Sequence, residues 1–197
     1  MTNLENNILE LKKEFDRIKK LNYIKSLRKG STGVGYTFET LINKKEDTSY
    51  LPDYKGIEIK TKLGNSKTAI SLLSMVPNMT INNTSPLYYL LDKFGYHKNQ
   101  SRRFYAKCEY QPKKLIQNKY YFELDIINDL LILNIKNKYK KTISNVIYWN
   151  IDELLERAYI KLKNLAFITA YSKTINNNTY YKYKKIDFYK LKKKKQS

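Results

Sequence analysis

The chain has 197 residues, with 38 Lys and Arg against 18 Asp and Glu and a formal net charge of +20. This excess of positive charge favours polyanionic partners such as nucleic acids, through release of counterions. The single cysteine, Cys108, and the single histidine, His97, exclude a disulfide framework and a structural zinc site, and they argue against nucleases that depend on clustered histidines. Without a signal peptide or an apolar stretch of about 18 residues, we expect a cytoplasmic protein that does not span a membrane.

Hydrophobic periodicity predicts the elements of the first half of the chain. The predicted helices cover residues 3–20 and 35–45, and the predicted strands cover 56–63 and 69–74. In the strand at 56–63 apolar and polar residues alternate, so its apolar side chains would face a core. Glu58, Lys60 and Lys62 would then share the opposite face.

The second half of the chain is richer in predicted strands. They cover residues 104–110, 119–125, 130–135, 165–172 and 179–185, with a helix over 151–163 and a turn at 176–178. Asn150 can cap that helix and Glu153 can complete a capping box. Its predicted buried stripe consists of Ile151, Leu154, Leu155, Ala158 and Leu162. We therefore predict an α/β fold with a central mixed β-sheet flanked by helices.

The run from Leu51 to Lys60 can place two carboxylates and an ammonium at one point of this basic protein. A phosphodiester resists attack because the phosphate is anionic and the leaving alkoxide is poor, and divalent ions held by carboxylates relieve both problems. We predict Asp53 and Glu58 as metal ligands. Lys60 would orient or deprotonate water, or stabilise charge in the transition state. Such spacings also arise by chance in a lysine-rich chain, where alternating charges usually form a solvated strand face.

A glycine-rich loop precedes the second predicted helix and runs from Arg28 to Gly35. No Gly-Lys-Ser/Thr follows the glycines, so the loop is not a Walker A motif and does not support ATP hydrolysis. Its backbone N–H groups can instead lie against a nucleic-acid phosphate, and Glu39 on the helix can supply a third acid. The alternative is a glycine turn that begins a surface helix, with Glu39 solvated.

Together these segments resemble the MvaI/BcnI family of type II restriction endonucleases, relatives of the mismatch-repair nicking enzyme MutH among the PD-(D/E)xK nucleases. The resemblance is carried by Arg28, Gly30, Thr32, Gly33, Gly35, residues 37–39, Pro52, Asp53, residues 58–61, residues 69–73, Pro77 and residues 94–96. It covers residues 4–96 well and fades toward the C-terminus. It implies a restriction-endonuclease-like fold with two lobes around a DNA cleft. It also implies a Mg²⁺ site, with one or two ions, formed by Glu39, Asp53, Glu58 and Lys60.

The resemblance further implies one nuclease domain over residues 1–197, in which different parts of the chain have different functions. The catalytic lobe would cover about residues 1–100, the DNA-recognition part about 101–190, and a basic tail 190–197. Arg102 and Arg103 form the only arginine pair, and arginine is the commonest reader of guanine in the major groove. They can equally be simple loop charges. The predicted DNA contacts are Arg28, Thr32, Tyr36, Lys62, Arg102, Arg103, Lys173, Tyr183 and Lys184.

We therefore predict a Mg²⁺-dependent type II restriction endonuclease that cleaves duplex DNA and leaves a 5′-phosphate. By resemblance, it would act as a monomer, nick each strand in turn at a short C/G-rich site, and have a cognate DNA methyltransferase as its functional partner. Two alternatives stay open. One is a MutH-like nicking endonuclease that needs an activator, and the other is a non-catalytic basic nucleic-acid-binding protein.

Overall fold

The computed structural model describes residues 2–46, 49–81, 84–112 and 114–192. The chain divides into two compact units, unit 1 (Met1–Leu73 and Arg157–Ser197) and unit 2 (Ser74–Glu156). The helices are α1 (Asn3–Lys20), α2 (Gly33–Leu41), α3 (Pro86–Phe94) and α4 (Ile151–Leu162). The strands are β1 (Ile24–Lys25), β2 (Glu58–Leu63), β3 (Asn78–Met79), β4 (Tyr96–Lys98), β5 (Ser101–Arg103), β6 (Tyr120–Ile127), β7 (Leu130–Asn137), β8 (Thr142–Asn150), β9 (Asn164–Ile175) and β10 (Asn178–Lys190).

Unit 1 contains a four-stranded mixed sheet in the order β1-β10-β9-β2. The long strands β9 and β10 pair antiparallel and are joined through Asn176 and Asn177, whose φ angles of 47° and 60° suit a tight hairpin turn. Strand β2 pairs parallel with β9, and Glu58 lies opposite Leu165. The segment that follows α4 is therefore held directly beside the strand that carries Glu58 and Lys60.

The core of unit 1 lies between this sheet and helices α1 and α2. A capping box of Thr2 and Glu5 starts α1, which buries Leu11, Phe15 and Ile18. The remaining core side chains come from α2 and its C-cap, from β2 and its preceding residue, and from β9 and β10: Val34, Phe38, Ile42, Ile57, Ile59, Ala166, Ile168, Ala170, Tyr181 and Tyr183. The apolar face of β2 is thus buried against α2, as its alternating pattern predicts.

Unit 2 contains an antiparallel sheet in the order β3-β8-β7-β6, helix α3 and the β4–β5 hairpin. Its core is built around aromatic side chains. Phe94 packs edge-on against Tyr120 and Phe122, with ring centroids 5.2 and 6.1 Å apart. Among the described residues of both units, no helix has both the length and the apolar character needed to cross a bilayer.

The predicted fold class is confirmed, and so are the helix at 3–20 and the strands near 119–125, 130–135, 165–172 and 179–185. Two predicted strands are wrong. Residues 69–74 are irregular, and 104–110 contain only a bridge at Glu109. The predicted stripe of α4 is half-buried at best, and Leu155 is 58% exposed. Helix α3 and strand β8 were not predicted.

The unit boundaries also differ from those predicted for the lobes, because β9 and β10 join the sheet of β2 and return residues 157–192 to unit 1. The assignment of catalysis and recognition to particular parts of the chain stays a prediction. Most of the basic tail predicted at 190–197 lies outside the described residues.

Candidate active site

Glu58 is the first residue of β2, and its side chain is fully buried. Lys60, one pleat further along the same face, donates from Nζ to Glu58 Oε1 at 2.5 Å. Lys161 in the last turn of α4 places its Nζ 3.6 Å from the same oxygen. The other oxygen, Glu58 Oε2, is buried without a hydrogen-bond partner. Glu58 is therefore bound on one side only.

A tight turn brings Asp53 back to β2. Tyr54 and Ile57 exchange both backbone hydrogen bonds, at 2.9 and 2.8 Å, across Lys55 and Gly56. Lys55 and Gly56 have positive φ angles of 46° and 82°. Glycine adopts such angles at no steric cost, so Gly56 suits the turn. The reversal lets Asp53 Oδ2 accept a hydrogen bond from the backbone N–H of Ile59 at 3.0 Å. Asp53 is thereby fixed beside the strand residue between Glu58 and Lys60.

Glu39 approaches the same place from α2, because the glycines allow this helix to pack closely. A Cβ at Gly33 would lie 2.5 Å from the carbonyl oxygen of Arg28, and one at Gly35 would lie 3.0 Å from Thr61 Oγ1. Burial raises the pKa of the Glu39 carboxyl above its ordinary value, and the nearby charge of Asp53 raises this pKa further. The structure thus brings Glu39, Asp53, Glu58 and Lys60 into one electrostatic cluster.

The carboxylates of this cluster destabilise one another's charged forms. Burial raises the pKa of Glu58 and Asp53 adds to the shift, while Lys60 and Lys161 oppose it. A divalent cation would reduce the repulsion between the carboxylates and would give Oε2 of Glu58 a partner. Among the described residues, no three His, Cys, Asp or Glu side chains are gathered closely enough to hold a metal. Mg²⁺ needs only one or two carboxylates, because it keeps several of its waters.

A cleft of about 700 Å³ in unit 1 connects the cluster with the glycine-rich loop. Among its lining residues are Arg28, Thr32, Tyr36, Glu39, Lys60 and Lys62, so six of the predicted site residues share one cavity. Of these, Arg28, Thr32, Tyr36 and Lys62 were predicted to contact DNA, and Glu39 and Lys60 were predicted as catalytic residues.

Arg28 and Tyr36 form a defined anion-binding arrangement at this cleft. The Arg28 guanidinium lies 3.9 Å from the centre of the Tyr36 ring. Its Nη1 and Nη2 donate to the two oxygens of Glu46 at 2.9 and 2.5 Å. This pairing raises the pKa of Arg28 and lowers the pKa of Glu46. A carboxylate held in this bidentate manner has the geometry in which arginine also binds phosphate.

The other predicted DNA contacts are spread over both units. In unit 1, Lys173 lies over the ring of Tyr23 at 3.9 Å and Lys184 over that of Tyr171 at 5.9 Å. In unit 2, Arg102 and Arg103 lie on the exposed strand β5. These placements leave the residues accessible to a ligand.

The prediction for Tyr183 is wrong. Its side chain is fully buried, packs edge-on against Phe38 at 5.2 Å, and donates its hydroxyl to the Val34 carbonyl at 2.8 Å. Burial raises the pKa of this tyrosine far above its ordinary value. Tyr183 therefore holds α2 against the sheet and cannot contact a ligand.

Sequence reasoning did not identify Lys161 and Glu46 as parts of the site. Lys161 is 103 positions from Glu58 and is one of many lysines, so only the parallel pairing of β2 with β9 brings it near. Glu46 follows α2 by a few residues, and no motif marks it as the partner of Arg28.

Comparison with known proteins gives the family that the sequence motifs resemble. The model of the MvaI/BcnI restriction endonuclease family matches residues 12–196. The chain therefore belongs to this family of restriction endonucleases, and it is a site-specific DNA nuclease.

Two solved structures of the restriction endonuclease MvaI are similar to the chain. The complex of MvaI with its cognate DNA substrate shows 30% identity and a TM-score of 0.80, over 95% of this chain and 75% of that one. The structure of MvaI without DNA shows 28% identity and a TM-score of 0.48, over 95% of this chain and 74% of that one. Comparison with curated proteins finds no match.

Proposed function

We propose that this restriction endonuclease hydrolyses duplex DNA with Mg²⁺ at the cluster formed by Glu39, Asp53, Glu58 and Lys60. The observation that carries the proposal is the one-sided binding of Glu58, which is fully buried, contacts Lys60 through Oε1 and leaves Oε2 unpaired. Burying a charge without satisfying it costs stability, so a protein retains such a group where a ligand completes it.

Asp53 and Glu58 would hold the metal, and Glu39 would assist through a water or at a second ion. A bound Mg²⁺ supplies a water of lowered pKa and neutralises charge on the phosphate. The donor set fits this ion, because hard cations prefer carboxylate oxygens and the proposed ligands are all carboxylates.

Lys60 would position the attacking water and stabilise the negative charge that develops on the phosphorus oxygens. Its ammonium is fixed at 2.5 Å by Glu58, so little reorganisation is needed when that charge appears. We propose that the 3′ bridging oxygen leaves, which keeps the phosphate on the 5′ end of the other fragment. Asp53, fixed through the N–H of Ile59, keeps its carboxylate at the same end of β2.

Arg28 would bind a DNA phosphate at the mouth of the cleft. The carboxylate of Glu46 occupies both of its outer nitrogens in this structure, and a phosphate offers the same paired oxygens. Lys62 and Thr32 line the same cleft, and Lys173 and Lys184 extend the positive charge along β9 and β10. Duplex DNA as the ligand is supported by the similar complex of MvaI with its cognate DNA.

The family suggests further properties of the reaction. With one such cluster among the residues that the structure describes, a monomer would nick each strand of the duplex in turn. A short C/G-rich target and protection of the host by a cognate methyltransferase follow the pattern implied by the family resemblance. The arginines of unit 2 are the candidates for reading guanine.

The experiment that tests this function incubates the purified protein with unmethylated plasmid and Mg²⁺, followed by sequencing of the fragment ends. Parallel reactions contain EDTA or Lys60→Ala protein. We expect discrete fragments with 5′-phosphates that disappear in both controls. Intact plasmid with a folded, DNA-binding protein would contradict the proposal, and would favour a MutH-like enzyme that needs an activator or a binding protein without activity.

A further inference from the structure

Lys161 is the second ammonium on the buried carboxylate. Its Nζ lies 3.6 Å from Glu58 Oε1, the oxygen that accepts the hydrogen bond of Lys60 at 2.5 Å. Both lysine side chains are 22% exposed, so each is mostly covered yet reaches the solvent side of the site. The contact of Lys161 is longer than a hydrogen bond and is held by charge alone. It can be broken without the loss of a directional interaction.

The backbone of Lys161 is placed firmly relative to Glu58. Strand β9 begins just after α4, and Leu165 pairs in parallel register with Glu58. Asn164 Nδ2 donates to the carbonyl of Gly56 at 3.1 Å, which ties the start of β9, two residues after α4, to the turn before β2. The position of Lys161 beside the site is therefore set by the sheet and does not depend on the ammonium contact itself.

A divalent ion on Glu58 Oε2 would change the balance of charge around this carboxylate. Without the ion, Lys60 and Lys161 compensate the charge of Glu58 in part. With it, two positive charges would be added a few ångströms from both ammoniums, and like charges repel strongly where water is excluded. The weaker contact, that of Lys161, is the one that would yield, while the hydrogen bond of Lys60 is kept.

We propose that Lys161 is a second cation of the active site, which competes with the metal for Glu58 and moves to the scissile phosphate once the metal is bound. This inference rests on the proposed function. A lysine suits such a role because its ammonium is a compact charge with three donors on a flexible four-carbon stem. The released ammonium would contact an anionic phosphate oxygen, where negative charge grows during hydrolysis.

The test compares Lys161→Gln with Lys163→Gln, which removes the same charge from an exposed lysine two residues away. Binding of Mn²⁺ to the DNA-free protein is measured by calorimetry, and single-turnover cleavage is measured at saturating Mg²⁺. For Lys161→Gln we expect metal binding tighter by about 3- to 10-fold, because a competing charge is gone. We also expect cleavage slower by about 10- to 100-fold, because a phosphate contact is lost. Lys163→Gln should stay within about twofold of the wild type in both measurements.

A Lys161→Arg variant keeps the charge. It shows whether the effects of Lys161→Gln come from the lost charge or from misfolding. It should bind Mn²⁺ as the wild type does and cleave faster than Lys161→Gln. Unchanged or weaker Mn²⁺ binding by Lys161→Gln, or wild-type cleavage at saturating metal, would overturn the role of Lys161 and leave the proposed function standing. A wild-type protein that neither binds Mn²⁺ nor cleaves DNA would overturn the proposed function first.

Discussion

The two compact units both contain buried hydroxyl groups that are hydrogen-bonded, and they differ at one buried carboxyl group in unit 1. In unit 2, the buried hydroxyl of Ser144 is hydrogen-bonded to the hydroxyl of Tyr89 at 3.0 Å. In unit 1, the buried Thr37 accepts a hydrogen bond from the N–H of Leu27 at 3.0 Å. Glu58 in unit 1 differs from both, because its carboxyl group is fully buried and Oε2 has no hydrogen-bond partner.

We interpret this difference as one between groups that stabilise the fold and a group that takes part in the chemistry we propose. A satisfied hydroxyl such as that of Ser144 helps to specify the packing of its core. A carboxylate that is buried and half-satisfied lowers stability, and two lysines compensate it only in part. Unit 1 thus retains a costly group at the place where our proposal puts metal and phosphate. The charged groups of unit 2 that we single out, Arg102 and Arg103, lie on an exposed hairpin instead.

The largest expected effect is on the catalytic rate. An unchanged rate would contradict the contrast that we draw between Glu58 and the satisfied buried groups. Replacing Glu58 with Ala should slow single-turnover cleavage of a labelled duplex by about 10³-fold or more, because the metal loses a ligand. Asp53→Asn should have a similar effect. Glu123→Gln in unit 2 is the control, since Glu123 is also mostly buried and paired with a lysine, Lys136. Loss of cleavage in Glu123→Gln and retention of it in Glu58→Ala would contradict the account.

The next effect concerns the DNA recognition that we propose for unit 2. Arg103→Ala should weaken specific DNA binding by about 10- to 100-fold and relax base preference at one position, because it would remove the bidentate contact to guanine that we propose. Lys173→Ala in unit 1 should weaken binding to all sequences and reduce the salt slope by about 1, as expected for a phosphate contact. Binding to specific and random duplexes over a range of salt concentrations measures both. Equal losses on both duplexes for Arg103→Ala would argue against base reading.

A smaller effect is expected on stability and its dependence on pH. The pKa of Glu58 is raised in the folded protein, mainly by burial, so the folded state binds more protons than the unfolded state above the ordinary glutamate pKa. Stability is therefore lost as the pH rises from that ordinary value to the raised one. Glu58→Gln removes this loss, and in EDTA near pH 7 the variant should melt a few degrees, on the order of 3 °C, above the wild type.

Thermal melts in EDTA between pH 4 and 8 check this prediction. The difference in melting temperature between Glu58→Gln and the wild type should shrink as the pH falls toward the ordinary glutamate pKa. Glu58 is then protonated in the unfolded protein as well as in the folded one, and so is neutral like glutamine. A variant that is less stable than the wild type at every pH would show that the lysines compensate Glu58 fully.

The smallest expected effect is on stability alone, and it distinguishes the core of unit 1 from the candidate active site. Tyr183→Phe removes the hydrogen bond to the Val34 carbonyl and leaves a buried acceptor, which should cost about 1 to 2 kcal/mol of unfolding free energy. Its cleavage rate below the melting transition should equal that of the wild type. Denaturant unfolding and single-turnover cleavage measure the two properties. A fall in DNA affinity at full stability would restore the original prediction that Tyr183 contacts DNA.

The parts of the site that could be predicted are those whose geometry is local. Strand alternation places Glu58 and Lys60 on one face, and the turn at Lys55 and Gly56 returns Asp53 to the same strand. Glu39 could be predicted because the glycines mark a helix that packs closely. In each case the residues that determine the position lie near the functional residue in the sequence.

The parts that could not be predicted depend on pairing over long distances. Lys161 reaches Glu58 only because β2 pairs with β9. In the run from Tyr180 to Lys185 aromatic residues occur on both strand faces, so the sequence does not show that Tyr181 and Tyr183 face the core. Helix α3 is short and rich in tyrosine, and β8 carries polar residues within its apolar pattern. Tertiary contacts decide these elements more than local preference does.

The most direct test of the central claim is a crystal structure of the protein with Mn²⁺, with the ion located by its anomalous scattering. We predict a peak about 2.0 to 2.3 Å from Glu58 Oε2, shared with an oxygen of Asp53, with Lys60 still bound to Oε1. An anomalous peak elsewhere, with Glu58 still paired to both lysines at saturating Mn²⁺, would contradict the claim that this buried carboxylate is the metal ligand.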